Sequence, residues 1–533
     1  MSQLPPNEEL DAKVYHTSAK ELDDNSSGER AEQTEPSQTP LAALLPRKAF
    51  LAWLLICYST GPTGAMVNSY IPVVLQSIAN RLGHAAGSTA HCSTRGRIEC
   101  LVQFGGGEID YNSYVLYLQA IATACQGVFT ILICGLADYA DYRKSIMLIC
   151  ILIFGALATP YAGLTEVSYS ILTTSAVLFA LISTVQGAYG ALEFSYIPLF
   201  MRAETGSLDR PQTGLERYMN RSYEKAGTEN KRLHKGAKVA VLGLVMGNLG
   251  SLTALLIGIV ITYSKHITVA TSYHSFLIAI TVAGCMTVVL GSIAGFLLPS
   301  VSGKVVNSPS IMLPFLNWAR LLRNMRRFPE PFKLCAGWIL WNTGWGSQLG
   351  LMGLLFREVL GLDRSSGVYT TWTFTSVLFS TMGSLTWMFV FPHVRLRIKT
   401  WAFCFLTIQF ICILWGTFGI NKGIPIGFKH APEFWIEQLL FMSTASALRA
   451  LNRVLYSSLI PKGSEAIFFG MQIVVDLATG WISPLVSASI QNRTHELRFP
   501  MIPNALLVLA GAGFYWWVNV EKGIKDAEQS LED

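Results

Sequence analysis

The sequence predicts an all-α integral membrane protein of about twelve transmembrane helices in two six-helix halves. Three observations carry that prediction. Hydrophobic residues make up 51% of the 533 residues and charged residues only 14%, against about 25% charged in ordinary soluble chains; such a balance cannot cover a water-facing surface. Apolar runs long enough to cross a bilayer, about 20 residues each, recur between residues 49 and 518. The Lys and Arg residues gather in alternate loops, as the positive-inside rule requires of a polytopic chain. The net charge of +6 is therefore read as a topology signal, and no nucleic-acid partner is expected.

Residues 1–45 are polar, with acidic residues exceeding basic ones and with scattered Ser, Thr and Pro. They read as a disordered cytosolic tail without a cleavable signal peptide. The N-terminal half, 46–298, holds apolar runs at 49–75, 113–137, 145–163, 170–198, 237–263 and 271–298. A basic cytosolic loop, 299–333, follows and contains the amphipathic stretch Leu313-Pro-Phe-Leu-Asn-Trp-Ala-Arg-Leu-Leu. The C-terminal half, 334–520, holds runs at 334–359, 368–391, 400–420, 434–459, 465–488 and 501–518, and 521–533 closes as a second cytosolic tail.

With the N-terminus in the cytosol, the inside loops collect Arg143 and Lys144, Lys231 to Lys235, Arg320 to Arg327, and Arg395 to Lys399. The loops after helices 2 and 8 occupy corresponding places in the two halves: Asp138-Tyr-Ala-Asp141-Tyr-Arg143-Lys144 and His393-Val-Arg395-Leu-Arg397-Ile-Lys399. A six-plus-six parallel repeat marks the major facilitator type of architecture, which binds its solute near the midplane between the halves.

Eight of the ten cysteines fall in apolar segments and read as packing residues. Cys92 and Cys100 share a long polar loop placed outside, where a disulfide between them is a candidate. Asn492-Arg-Thr494 is a glycosylation sequon, also placed outside, whereas the sequons at Asn25 and Asn220 fall inside. No Cys/His metal spacing, phosphate loop or hydrolase elbow is present, so neither a metal, a cofactor nor a catalytic residue is expected.

A charge at mid-bilayer costs about 2.5–3.5 kcal/mol on insertion scales, so each intramembrane charge calls for an explanation. Arg449 on helix 10 lies thirteen residues before Lys462, and Asp476 on helix 11 lies fourteen after it. Both therefore sit about 20 Å from the turn. They read as a binding or gating pair for a charged solute, or as a structural bridge between neighbouring helices. Arg453 reads as a snorkelling side chain. Glu193, late in helix 4, is a candidate coupling carboxylate. Helix 7 gathers Asn342, Trp345 and Gln348, whose amides and indole suit a zwitterion or serve as glue between helices. Asn68 on helix 1 and Gln186 on helix 4 are similar substrate-contact candidates. Asp138 and Arg143 are gating candidates. Small residues in Gly243-Leu-Val-Met-Gly247-Asn-Leu-Gly250-Ser251 predict close helix packing.

These segments also carry a family resemblance. Gly135 to Lys144 resembles the major facilitator loop between helices 2 and 3, with one Gly displaced and the second absent. Gln186-Gly-Ala-Tyr-Gly190 resembles the helix 4 motif, with Ser183 at its usual Arg. Gly243 to Ser251 resembles the helix 5 motif, with Asn248 at its usual Pro. More specifically, Lys235-Gly-Ala-Lys-Val-Ala-Val-Leu-Gly-Leu-Val, Pro461-Lys-Gly-Ser-Glu-Ala-Ile-Phe-Phe-Gly and Gly480-Trp-Ile-Ser-Pro484-Leu resemble the fungal autophagy-related vacuolar amino-acid effluxer family. The resemblance implies a carrier in the vacuole membrane that exports amino acids, released by autophagic breakdown, to the cytosol during nitrogen starvation. A plasma-membrane carrier for another small solute, and a non-transporting scaffold or sensor, stand as alternatives.

Overall fold

The computed structural model describes residues 47–85, 100–139, 142–202, 228–264, 273–300, 312–360, 367–394, 396–421, 423–494 and 496–529. The predicted first helix is two consecutive pieces, α1 (Arg47–Asn68) and α2 (Tyr70–Leu82). The described parts of the polar loop after it form a three-stranded antiparallel sheet: β1 (His84–Ala85), β2 (Cys100–Phe104) and β3 (Gly107–Asp110). Phe104 pairs with Gly107 across a two-residue turn, and Gly105 supplies the left-handed φ of 61° that such a turn needs. The apolar-run reading had no signal for these strands, which are too short and polar to register in it.

Helices α3 (Tyr111–Ala137), α4 (Tyr142–Ala156), α5 (Tyr169–Arg202), α6 (Thr228–Ser264) and α7 (His274–Leu297) complete the first half. The amphipathic α8 (Leu313–Arg323) lies between the halves. The second half comprises α9 (Pro329–Leu360), α10 (Gly367–Val390), α11 (Ile398–Phe418), α12 (Ala431–Leu459), α13 (Glu465–Gly480), α14 (Ile482–Thr494) and α15 (Met501–Trp517), followed by the short α16 (Val520–Gln529). The predicted eleventh helix is thus α13 and α14, separated at Trp481. The Asn492 sequon lies in the last turn of α14, not in a loop. The expected C-terminal tail begins as helix, with Asn519 N–H donating to Glu330 at 2.7 Å.

Among the described residues nine helices are long and apolar enough to cross a membrane, and ten if α15 and α16, bent by 58°, count as one span. Helices α9 and α12 fall outside that set despite their 32 and 29 residues. Length is not what they lack, since about 20 residues suffice. They are the polar helices: α9 carries Asn342, Thr343 and Gln348, and α12 carries Glu433, Glu437, Arg449 and Arg453.

Helix α1 packs on α6 and α7, α3 on α5, α9 on α15, and α10 on α12. The halves meet where α13 packs on α3 and α5, and where α6 packs on α10 and α12. The small residues of α6 work as predicted. A Cβ on Gly250 would fall on the Tyr58 carbonyl of α1, and Ser251 Oγ donates to the Gly61 carbonyl at 3.1 Å. Glycine here lets two backbones touch.

Candidate functional site

Two polar clusters cross the boundary between the halves. The first lies in the middle of α12. Residues three or four apart share a helix face, so Arg449 and Arg453 project together from α12, and Asn342 and Trp345 together from α9. The Arg449 guanidinium stacks over the Trp345 ring, 3.8 Å from its centroid. Asn342 Nδ2 donates to both oxygens of Asp476 on α13, at 2.8 and 2.9 Å. Among the described residues no direct ion pair joins Arg449 to Asp476. Both charges dock instead on one turn of α9, close enough to feel each other. Arg449, Asp476, Asn342 and Trp345 are all half-buried.

One turn further along α12, Arg453 stacks over Phe194 of α5, again 3.8 Å from the ring centroid. It therefore spans the two halves and does not snorkel. Next to Phe194, the buried Glu193 accepts from Thr60 Oγ1 of α1 at 3.4 Å and lies within electrostatic reach of Arg453. Arg449 thus faces the second half and Arg453 the first. Each stacks on an aromatic ring and has one carboxylate nearby.

Among the described residues several buried polar atoms beside this array make no hydrogen bond: Asn342 Oδ1, Thr343 Oγ1 and Trp345 Nε1. Buried polar groups in folded proteins are nearly always satisfied, so these atoms leave donors and acceptors on one turn of α9 that a polar guest could use. Gln348 is fully buried, and its Oε1 accepts from Asn504 of α15 at 3.4 Å, which ties helices together. Gln186 is half-buried, and Asn68 is exposed at the end of α1.

The second cluster closes the end of the bundle that carries the basic loops. Arg143 Nη2 donates to Asp138 Oδ1 at 2.6 Å and to Glu465 Oε2 at 3.1 Å. Arg202 Nη1 donates to Glu465 Oε1 at 2.8 Å, and its other amine to the Ile460 carbonyl. The Asp138 carboxylate, at the end of α3, also accepts from the Ala466 and Ile467 N–H groups at 3.0 Å each. A residue of one half thereby caps the first turn of α13 in the other, where free N–H groups and the helix dipole favour an anion. Burial pushes the Asp138 carboxyl above its usual range, against the pull of Arg143 and the two N–H groups. Beside this latch a Cβ on Gly470 of α13 would lie 2.6 Å from Cys134 Cβ of α3, and Cys134 is fully buried.

Residues 46–528 match the family model described as "Vacuole effluxer Atg22 like". The chain belongs to that family. It is 40% identical over 480 residues to autophagy-related protein 22 of Candida albicans, covering 90% of this chain and 91% of that one. It is 22% identical to autophagy-related protein 22 of Neurospora crassa, covering 87% and 70%. Solved major facilitator structures share the fold. A bacterial homologue of the iron transporter ferroportin in its outward-facing state aligns with a TM-score of 0.57 at 11% identity, over 88% of this chain and 98% of that one. The proton:xylose symporter XylE aligns at 0.55 and 12%, over 88% and 94%.

In this effluxer-family chain, sequence reading missed Arg453, Phe194, Arg202 and Glu465 as site residues. The four-residue spacing of Arg449 and Arg453 was the available signal for a shared face. Glu465 opens a helix beside a turn, where an acid is unremarkable until the Asp138 loop arrives against it. Glu437 is buried on α12, outside the contacts of both clusters, and its Oε1 makes no hydrogen bond among the described residues. Cys100 is disulfide-bonded, and the eight cysteines of the apolar segments are free. Cys92 lies outside the described residues, as do the 1–45 tail and the Asn25 and Asn220 sequons.

Proposed function

We propose that this protein is a vacuole-membrane carrier that exports amino acids to the cytosol by alternating access, supplying them from autophagic breakdown during nitrogen starvation. The observation that carries the reading is the array on α12 and α9. An amino acid bears one carboxylate and one ammonium. Arg449 offers a fixed guanidinium for the first, and Asp476, held open by Asn342, offers a carboxylate for the second. Asn342 Oδ1 and Trp345 Nε1 add an acceptor and a donor on the same turn. The family description supports the vacuole and export, and the names of the relatives support the link to autophagy.

The latch supplies the moving part. If both termini face the cytosol, as the basic loops indicate, the Asp138–Arg143–Glu465–Arg202 cluster seals the cytosolic end. The state described here then faces the lumen, and export requires those bonds to part while the halves rock about the bound solute. The test is efflux of labelled amino acids from sealed vacuolar vesicles loaded from the inside, with and without this protein. Protein-dependent loss of a defined set of amino acids supports the reading. Equal loss, with the protein present and folded, leaves the scaffold or another solute and overturns it.

A further inference from the structure

A cavity of about 300 Å³ opens beside the latch, where the two halves and the segment between them meet. That is the small end of the range for ligand pockets. Among the described residues three cations line it: Arg320 of α8, Arg327 just after it, and Lys462 of the turn before α13. Among the described residues the one carboxylate in the lining, Asp138, already accepts from Arg143, Ala466 and Ile467. The nearby Glu465 is bound by Arg143 and Arg202. The latch is therefore balanced in itself, two carboxylates against two guanidiniums, and Arg320 and Lys462 make the described lining of the cavity next to it electropositive. An anion with more than one negative charge fits that field.

The walls are held in place independently of any ligand. Asn317 Nδ2 donates to the Gly135 carbonyl at 2.9 Å, and Tyr139 Oη donates to Asn317 Oδ1 at 2.7 Å. Trp318 Nε1 donates to the Ile131 carbonyl at 2.8 Å. These bonds pin α8 to the end of α3 and set where Arg320 stands.

The other face of α8 indicates the source of the anion. Pro314, Asn317 and Leu321 face the protein, whereas Phe315, Leu316 and Leu322 are 51%, 54% and 57% exposed. A short helix with bare aromatic and aliphatic residues beside Arg320 and Arg323 has the character of one lying in a membrane interface. That location sets the cavity at the level of the lipid headgroups, where acidic lipids concentrate beside basic segments.

We propose that this cavity binds the phosphorylated headgroup of an acidic membrane lipid, and that the bound lipid holds the two halves latched. The second clause follows by linkage. The lining comes from the end of α3 and from the turn before α13, which separate when the latch opens. A ligand touching both binds the closed state preferentially and stabilises it.

The test uses the purified full chain in phosphatidylcholine vesicles, with or without a phosphatidylinositol phosphate. Two readouts need no transport: the melting midpoint, and the rate at which an impermeant maleimide added on the latch side reaches Cys134. The lipid is expected to raise the midpoint by at least about 2 °C and to slow Cys134 labelling several-fold. Arg320→Gln with Lys462→Gln is expected to abolish both effects. Lys522→Gln with Lys525→Gln, an equal charge change at exposed sites on α16, is expected to preserve them. No effect of the lipid overturns the proposal. So does an equal effect from soluble inositol trisphosphate, which would make the ligand a free anion, or from phosphatidylserine, which would make it surface charge alone.

Discussion

Replacing Asp138 by Asn tests whether the charged cluster is a latch. The carboxylate accepts three bonds, from Arg143 at 2.6 Å and from the Ala466 and Ile467 N–H groups at 3.0 Å each. Its side chain is 6% exposed. Asparagine preserves the shape but offers one oxygen in place of two. Its amide nitrogen then meets a donor, so one N–H at the start of α13 loses its acceptor, and the charge opposite Arg143 is gone. Breaking a buried ion pair from one side costs about 3–5 kcal/mol. Arg143 retains Glu465 at 3.1 Å, which places the effect near the lower limit, about 3 kcal/mol. At about 1.4 kcal/mol per tenfold, the closed state loses roughly a hundredfold relative to the open one.

Cys134 reports that shift directly. It is fully buried where α3 meets α13, and reagent reaches it only when the halves part. Cys125, Cys285 and Cys404 are exposed and are replaced by Ser in the parent. When closing is fast compared with labelling, the rate follows the open population. An impermeant maleimide on the latch side is therefore expected to label Cys134 about a hundredfold faster in Asp138→Asn. Equal rates in two proteins with the same helical circular dichroism would refute the latch.

Three further outcomes follow from the same geometry. Arg449→Gln is expected to reduce efflux at least about a hundredfold while lowering stability by no more than about 2 kcal/mol, because its described anchor is one cation–π contact; efflux assays and thermal melts on one preparation separate the two. Asp476→Asn keeps an oxygen for Asn342 but cannot ionise, so any dependence of efflux on lumenal pH should vanish in a folded protein; wild-type efflux that is already indifferent to lumenal pH would end the coupling idea. Gly250→Val forces a side chain onto the Tyr58 carbonyl and is expected to destabilise by about 1–3 kcal/mol, seen as a lower melting midpoint.

Much of the fold was legible because membrane spans advertise themselves one segment at a time. A run such as 271–298 needs no partner to be recognised, and α7 occupies His274–Leu297. The site was legible only in part, since its geometry depends on helix rotation. The spacing about Lys462 placed Arg449 and Asp476 at one depth, but depth does not say which face each presents. The structure interposes Asn342 and Trp345 between them. Arg453 shows the same limit: distance to the membrane end suggested snorkelling, while contact with Phe194 across the halves is invisible in a linear reading. Glu465 becomes informative only when Asp138, more than three hundred residues away, caps its helix.

One helix connects the two clusters mechanically. Glu465 and Asp476 stand eleven positions apart on α13, about 16 Å of continuous helix. The first turn of that helix is held by Asp138 and Arg143 of the other half; its later turns carry the carboxylate held by Asn342. A helix is stiff along its axis, so the latch cannot release the start of α13 without moving Asp476 relative to Arg449 on α12. The reverse also holds. A solute that draws Arg449 and Asp476 together pulls on α13 and strains the latch. The coupling is reciprocal, as any linkage between two sites must be. Its sign follows from the chemistry: a zwitterion bridging the two charges favours the arrangement in which they are closer, and neutralising either charge removes that preference. Substrate should therefore raise the Cys134 labelling rate in the parent protein, and should leave it unchanged in Asp476→Asn. Substrate-independent labelling in the parent would mean that α13 moves as two separate pieces.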